Sequence, residues 1–347
     1  MEKILSIVIP TYNMERYLRN TLSTLLVGEY MEKLDVMVVN DGSKDSSLSI
    51  AREFETKYPD TFRAIDKPNG NYGSCINRGL KEARGKYIKV LDADDSYDTE
   101  ALKELIDALS DIDVDLFITD YCIVDEDGRQ TGKHTRHGLP TDVIIDGDSL
   151  FPFCRKDILE MHEATYRTEN LRKIGYTQTE GIAYTDQEWI FLPMTTVKTA
   201  YYLQRCVYRY LVGRQGQSTD TERAARLQAQ GDATLAVQMD SFRKCRGLSA
   251  PLREYLIAHL SQNIKFTYRT YLITAYKALQ EDALRETDKR IRECSEELYE
   301  KSASVTVHPR IPLHFIRDWR KAGCRVTLSI KIYRNIIYPL LKKLNIG

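Results

Sequence analysis

Four short apolar runs, each closed by a polar turn and followed by a stretch of helical periodicity, constrain this 347-residue chain more than any other feature. Ile4 to Ile9 is closed by Pro10 and the loop Thr11-Tyr12-Asn13, and Tyr17, Leu18, Leu22, Leu25 and Leu26 then recur at helical spacing. Leu34 to Val39 leads through Asn40-Asp41-Gly42-Ser43 into a helix over 46–58. A third strand is expected near Phe62 to Ile65, followed by Asn69-Gly70-Asn71-Tyr72-Gly73 and a helix through Ala83, and the fourth run starts at Lys86. Apolar runs without polar alternation fit strands buried on both faces. Alternating with helices, they imply right-handed crossovers and a parallel, Rossmann-like sheet flanked by helices.

In such sheets ligands gather beyond the carboxyl ends of the strands. Here those ends carry Thr11, Asp41, and Asp92 with Asp94. The fourth run, Lys86-Tyr87-Ile88-Lys89-Val90-Leu91, delivers Asp92, Asp94 and Asp95 within four positions. Carboxylates so close together are costly to hold without a cation. Two readings stand: a divalent metal holding a polyphosphate, or an acidic turn capping the next helix. Two residues apart in an extended segment, Asp92 and Asp94 share one side and Ala93 points away. Asp41 likewise reads as an acceptor for a base or ribose, or as a helix cap competing with Asp45 and Ser46. The next helix is expected from Thr99, as N-cap, to about Ser110, and Leu116 to Val124 as a strand closed by a hairpin turn at 125–129.

The glycines of 69–73 do not make Gly-x-Gly-x-x-Gly, and no Gly-x-x-x-x-Gly-Lys-Ser/Thr element occurs. Phosphate chemistry therefore falls to carboxylates and a hard cation, Mn²⁺ or Mg²⁺. Lys and Arg total 50, as do Asp and Glu, so no global field points to nucleic acid. Seven dispersed cysteines with no Cys-x-x-Cys pair argue for reduced thiols in a cytoplasmic protein rather than a disulfide framework or zinc site. The first residues enter a strand with no signal-peptide pattern, and no apolar run reaches the roughly 18 residues of a spanning helix.

Ile7-Val8-Ile9-Pro10-Thr11-Tyr12-Asn13, Val38-Val39-Asn40-Asp41-Gly42-Ser43-Lys44-Asp45, the block from Asn77 to Gly85, and Leu91-Asp92-Ala93-Asp94-Asp95 resemble, in order and spacing, the motifs of family-2 glycosyltransferases. The resemblance implies a glycosyltransferase A-type fold with a mostly parallel mixed sheet, a nucleotide-diphospho-sugar donor, a UDP-sugar by family weight, a divalent metal, and inverting transfer to a glycan or lipid-linked acceptor of the cell envelope. On that pattern Thr11 and Asp41 face the nucleoside, Asp92 the ribose or sugar, and Asp94 the metal. Pro10, Tyr12, Asn71, Gly73 and Ala93 complete the donor site.

An inverting transfer needs a base that deprotonates the acceptor hydroxyl. Members of the family usually place it in a Glu-Asp pair before an aromatic stretch, and Tyr184-Thr185-Asp186-Gln187-Glu188-Trp189-Ile190-Phe191 corresponds here, with Thr185 in place of Glu. Asp186 is the expected base and Glu188 its reserve; a helix N-cap is the competing reading of Asp186. The segment Tyr208 to Ser218 is similar to the one that follows the base in many members. Its Arg214 and Gln217 either close on the diphosphate or are solvated loop residues. His162 lines the acceptor pocket or is a structural histidine among aromatics. No Gln-x-x-Arg-Trp pattern of processive synthases occurs, which favours one sugar per binding event. A nucleotidyltransferase and a catalytically silent nucleotide-sugar-binding protein are the alternative functions.

A catalytic region over 1–218 is therefore expected, then a mainly helical extension over 219–347 serving acceptor, homo-oligomer or membrane contacts. From Phe191 to Tyr210, β-branched and aromatic residues predict further strands. In the tail, Leu328 to Leu344 mixes apolar residues with Lys331, Arg334, Lys342 and Lys343. It reads as an interfacial helix on the inner face of the plasma membrane, or as a helix docked on the rest of the extension.

Overall fold

The computed structural model describes residues 2–182, 185–213 and 228–344. The chain forms two compact units, Met1–Gln217 with Ser249–Leu252, and Ser218–Leu248 with Arg253–Gly347.

The first unit is built on a ten-stranded sheet. Its opening half follows the sequence pattern: β1 (Leu5–Thr11), α1 (Glu15–Ser23), β2 (Leu34–Asn40), α2 (Ser47–Lys57), β3 (Phe62–Asp66), α3 (Asn71–Glu82) and β4 (Tyr87–Val90). Every residue of β2 and β4 is buried, as strands covered on both faces require. β3, β2, β1 and β4 lie side by side in that order, all parallel. The chain winds outward from β1 to β3 on one side and returns to place β4 on the other. The carboxyl ends of β1 and β4 thus flank a topological switch point, where a crevice opens in doubly wound sheets. Gly79 lets α3 lie against β1: a Cβ there would come within 2.5 Å of the Val8 methyls.

The second half of the sheet is mixed. β5 (Ser96–Tyr97) precedes α4 (Thr99–Asp111), and β6 (Leu116–Val124) pairs with β7 (Gln130–His134) across the expected hairpin. β8 (Ile144–Asp146), α5 (Gly147–Lys156), β9 (Ala164–Arg167), α6 (Thr168–Lys173), the four-residue α7 (Asp186–Trp189) and β10 (Thr199–Leu211) follow. β9 runs antiparallel between β4 and β6, and β10 lies parallel to β6. It also pairs antiparallel with β5.

Three local expectations are corrected. α4 is capped by Asp98, whose carboxylate accepts from Ala101 N–H at 3.0 Å, and Thr99 is its first helical residue. α1 stops at Ser23, and a 3₁₀ turn occupies Gly28–Lys33. Leu192–Thr196 is also 3₁₀, with Pro193 at its start, so only the later part of the 191–210 stretch is strand.

The second unit is mainly helical among its described residues, with Gln228–Lys244, most of Ala250–Arg269, Glu281–Cys294, Glu296–Ala303, Phe315–Lys321 and a terminal run from Leu328 to Lys343. Its core includes Tyr255, Leu256, Leu260, Tyr268 and Trp319. All seven cysteines are free thiols.

Candidate active site

The acidic stretch after β4 folds as a turn rather than an extended strand end, with Asp95 N–H donating to the Asp92 carbonyl at 3.0 Å. The period-two argument for Asp92 and Asp94 therefore does not apply. Their shared exposure comes from the turn instead, which leaves both half-buried and takes Ala93 and Asp95 inward.

Asp95 is the anchor. The Tyr208 hydroxyl donates to its Oδ2 at 2.6 Å and Leu211 N–H to its Oδ1 at 2.7 Å, so β10 is tied to the turn. Burial and the charges of Asp94 and Asp92 push the Asp95 carboxyl well above the usual range. Asp92 is oriented from two sides: its Oδ1 accepts from the Tyr72 hydroxyl at 2.8 Å, and its N–H donates to the Tyr208 oxygen at 3.1 Å.

His162 completes a convergent set. One ligand atom each from Asp92, Asp95 and His162 lie within 4.8 Å of one another. Asp94, the residue expected to hold metal, is outside that set although it belongs to the same turn. The His162 ring sits among Tyr121, Tyr208 and Tyr210, with centroids 5.1, 4.6 and 4.7 Å away, and its Nδ1 is buried with no hydrogen-bond partner among the described residues. Burial, helped by the Lys89 charge, lowers its pKa to about 4, so the imidazole is neutral at pH 7 and able to ligate. The 3₁₀ turn Met161–Glu163 that carries it is braced from below. Lys89, wholly buried in β4, donates to the His162 carbonyl at 2.7 Å, and Arg136 forks onto the buried Glu163 carboxylate. Breaking either contact would strand a buried charge.

Asp186 opens α7, which packs against the Met161–Glu163 turn. It is the first helical residue rather than the N-cap, a position that falls to Thr185. The carboxylate is half-buried, and burial raises its pKa above the ordinary aspartate value. Glu160, at the start of the turn carrying His162, is pushed up to about 7 by burial and then by the Asp186 charge. Glu188 is buried, with Oε2 accepting from Thr179 N–H at 2.9 Å. That contact ties α7 to the segment beside α3.

At the other strand ends, Thr11 is buried and its hydroxyl donates to the Ile9 carbonyl at 3.0 Å. Pro10 is half-buried, and Tyr12 is exposed beyond it. Asp41 accepts from Lys67 Nζ at 2.5 Å, and from the N–H groups of Gly70 and Asn71 at 2.9 Å each. It caps the start of α3 rather than the helix following its own strand, so the loop 67–71 is moulded around it. Asn71 is exposed with φ 64°, and Gly73 is buried against the Thr179 segment, where a Cβ would come within 2.1 Å of the Thr179 carbonyl oxygen. Arg214 and Gln217 lie outside the described residues. The sequence gives no local signal for Tyr72, Glu160, Lys89 or Tyr208, whose partners lie 20 to 116 positions away for the contacts above.

A hard divalent cation fits this group, because the half-buried Asp92 and buried Asp95 carboxylates converge with a neutral imidazole whose Nδ1 has no hydrogen-bond partner among the described residues.

A parallel half-sheet with an acidic turn at its switch point, extended by a mixed half, defines a glycosyltransferase A-type fold. The profile of Glycosyl transferase family 2 matches residues 6–178, and the chain belongs to that family. An uncharacterised glycosyltransferase of Mycoplasma pneumoniae is 38% identical over 105 residues, 29% of this chain and 35% of that protein, so the chain spans about a third of this relative's length. The uncharacterised glycosyltransferase YibD of Escherichia coli is 27% identical over 72% of each chain. Among solved structures, Staphylococcus aureus TarS in complex with UDP-GlcNAc superposes with a TM-score of 0.69, at 16% identity, over 98% of this chain and 92% of that one. A Pyrobaculum calidifontis mannosyltransferase in complex with GDP-Man and Mn²⁺ gives 0.51, at 15% identity, over 100% and 87%. At such identities the likeness is one of fold.

Proposed function

We propose that this protein is a metal-dependent, inverting, non-processive glycosyltransferase. It moves a sugar from a nucleotide-diphospho-sugar, a UDP-sugar by the analogy with TarS, to a hydroxyl of a glycan or lipid-linked acceptor in cell-envelope or exopolysaccharide synthesis. The catalytic work is assigned to residues 1–218, with 219–347 as the helical extension. The observation that carries the reading is that His162 converges with Asp92 and Asp95 of the acidic turn at the switch point while the helix opening with Asp186 packs on the turn bearing His162.

Asp92 and His162, which converge with Asp95, would hold the cation, Mn²⁺ or Mg²⁺, with Asp94 of the same turn as the further carboxylate that the family pattern assigns to it. When bound, that ion neutralises charge developing on the departing diphosphate. Tyr72 and Tyr208 keep Asp92 in place for the donor, and the exposed Tyr12 is available to the nucleoside. Asp186 takes the acceptor proton; its raised pKa makes it a stronger base than an exposed aspartate. Glu160 beside it, titrating near 7, gives the acceptor hydroxyl a second polar neighbour.

The test is Asp186→Asn, assayed for nucleoside diphosphate release with an acceptor panel and for donor binding by calorimetry. Transfer should fall about 10²- to 10⁴-fold while donor affinity stays within about twofold. Full transfer activity would remove Asp186 from the role of base.

A further inference from the structure

The terminal helical run of the second unit carries a surface that the catalytic reading does not use. From Leu328 to Lys343 the chain is continuously helical, with a π turn over Tyr333–Ile337 between two α segments. Ile330 and Tyr333 are buried, so one side packs on its own unit. Arg334 belongs to that packing, its guanidinium 3.9 Å from the Tyr276 ring centroid.

Another side is left open. Leu328, Ile332, Ile336, Leu340 and Leu344 are 73, 42, 56, 54 and 65% exposed, every fourth residue for five positions. A four-residue repeat drifts about 40° per step around an α-helix. The π turn in the middle adds a residue to its turn and offsets part of that drift. The five side chains therefore form one stripe instead of spiralling away. Residues 319–347 contain seven Lys and Arg and no Asp or Glu. Lys321, Arg325, Lys331, Lys342 and Lys343 are exposed.

We propose that this stripe lies in the headgroup layer of an anionic lipid bilayer, with the apolar side chains inserted and the lysines on lipid phosphates. The pattern is that of an interfacial helix, apolar on one face and basic beside it. Among the described residues, no helix is long and apolar enough to cross a membrane, so the contact is peripheral. A second copy of the chain fits the stripe less well, because a two-fold interface would set this basic segment, which has no Asp or Glu of its own, against itself. The inference does not rest on the proposed transfer activity.

The experiment is co-sedimentation of the whole protein with phosphatidylcholine vesicles, with and without phosphatidylglycerol. Binding is expected only with the anionic lipid and should weaken at high salt. Leu328→Ser/Ile336→Ser/Leu340→Ser and Lys331→Glu/Lys342→Glu/Lys343→Glu should each lower partitioning at least about tenfold. Circular dichroism verifies that each variant is folded, and the wild-type lipid and salt dependence decides the matter without them. Absence of binding to the anionic vesicles, or binding that both folded variants retain, overturns the proposal. So does sedimentation velocity showing a dimer that the serine variant dissolves while vesicles leave it intact.

Discussion

The Tyr208 hydroxyl donates to Asp95 Oδ2 at 2.6 Å across 113 positions of sequence, and both side chains are buried. This contact joins the end of β10 to the turn that presents Asp92 and Asp94. Asp95 thus acts through position: it holds the turn against the strand that leads toward residue 214.

Tyr208→Phe should remove the hydrogen bonds to Asp95 Oδ2 and from the Asp92 N–H, and Asp95→Ala should remove those from the Leu211 N–H and the Tyr208 hydroxyl. Each costs about 1–3 kcal/mol of stability. Denaturant unfolding measures that loss. Calorimetry should show weaker donor binding in the folded Tyr208→Phe protein, because Asp92 has lost the restraint on its N–H.

Gly73→Ala tests the wall between α3 and the Thr179 segment. A Cβ would press to within 2.1 Å of the Thr179 carbonyl, a backbone atom that cannot swing aside. Destabilisation of at least about 1–3 kcal/mol is expected, read as a lower Tm. An unchanged Tm would mean that α3 and the 179 segment can separate freely.

In the helical unit, burial lowers the His259 pKa from 6.5 to about 3. Between those values the unfolded chain binds the proton and the folded one does not. Stability from this group is complete above pH 6.5 and is lost as the pH falls through that window. His259→Leu should flatten this dependence, as followed by urea unfolding at pH 7 and pH 5.

The parallel half of the sheet was legible because its information is local. Apolar runs without alternation, each with a polar terminator, place β1, β2 and β4 within a residue or two of their observed bounds at most ends. Asp92 and Asp94 were legible as candidates because carboxylates at a strand end are conspicuous, and Asp186 through the resemblance to the family pattern. The Tyr72, Tyr208 and Lys89 contacts were not, since a buried tyrosine or lysine finds its partner only after the sheet has formed. The strand assumption misled the reading of Asp92 and Asp94: a chain that breaks into a turn after Val90 no longer obeys a two-residue period. For the same reason Asp95, in the sequence only one of three clustered carboxylates, emerges as the residue that binds the turn to β10.

The most direct measurement is isothermal titration of UDP and UDP-GlcNAc into the protein with Mn²⁺, repeated after chelation and with Asp94→Ala and His162→Ala. The account predicts binding that depends on the metal, and an affinity reduced about 10- to 100-fold when either side chain is removed. Equal binding with and without metal, unaffected by both substitutions, would contradict it.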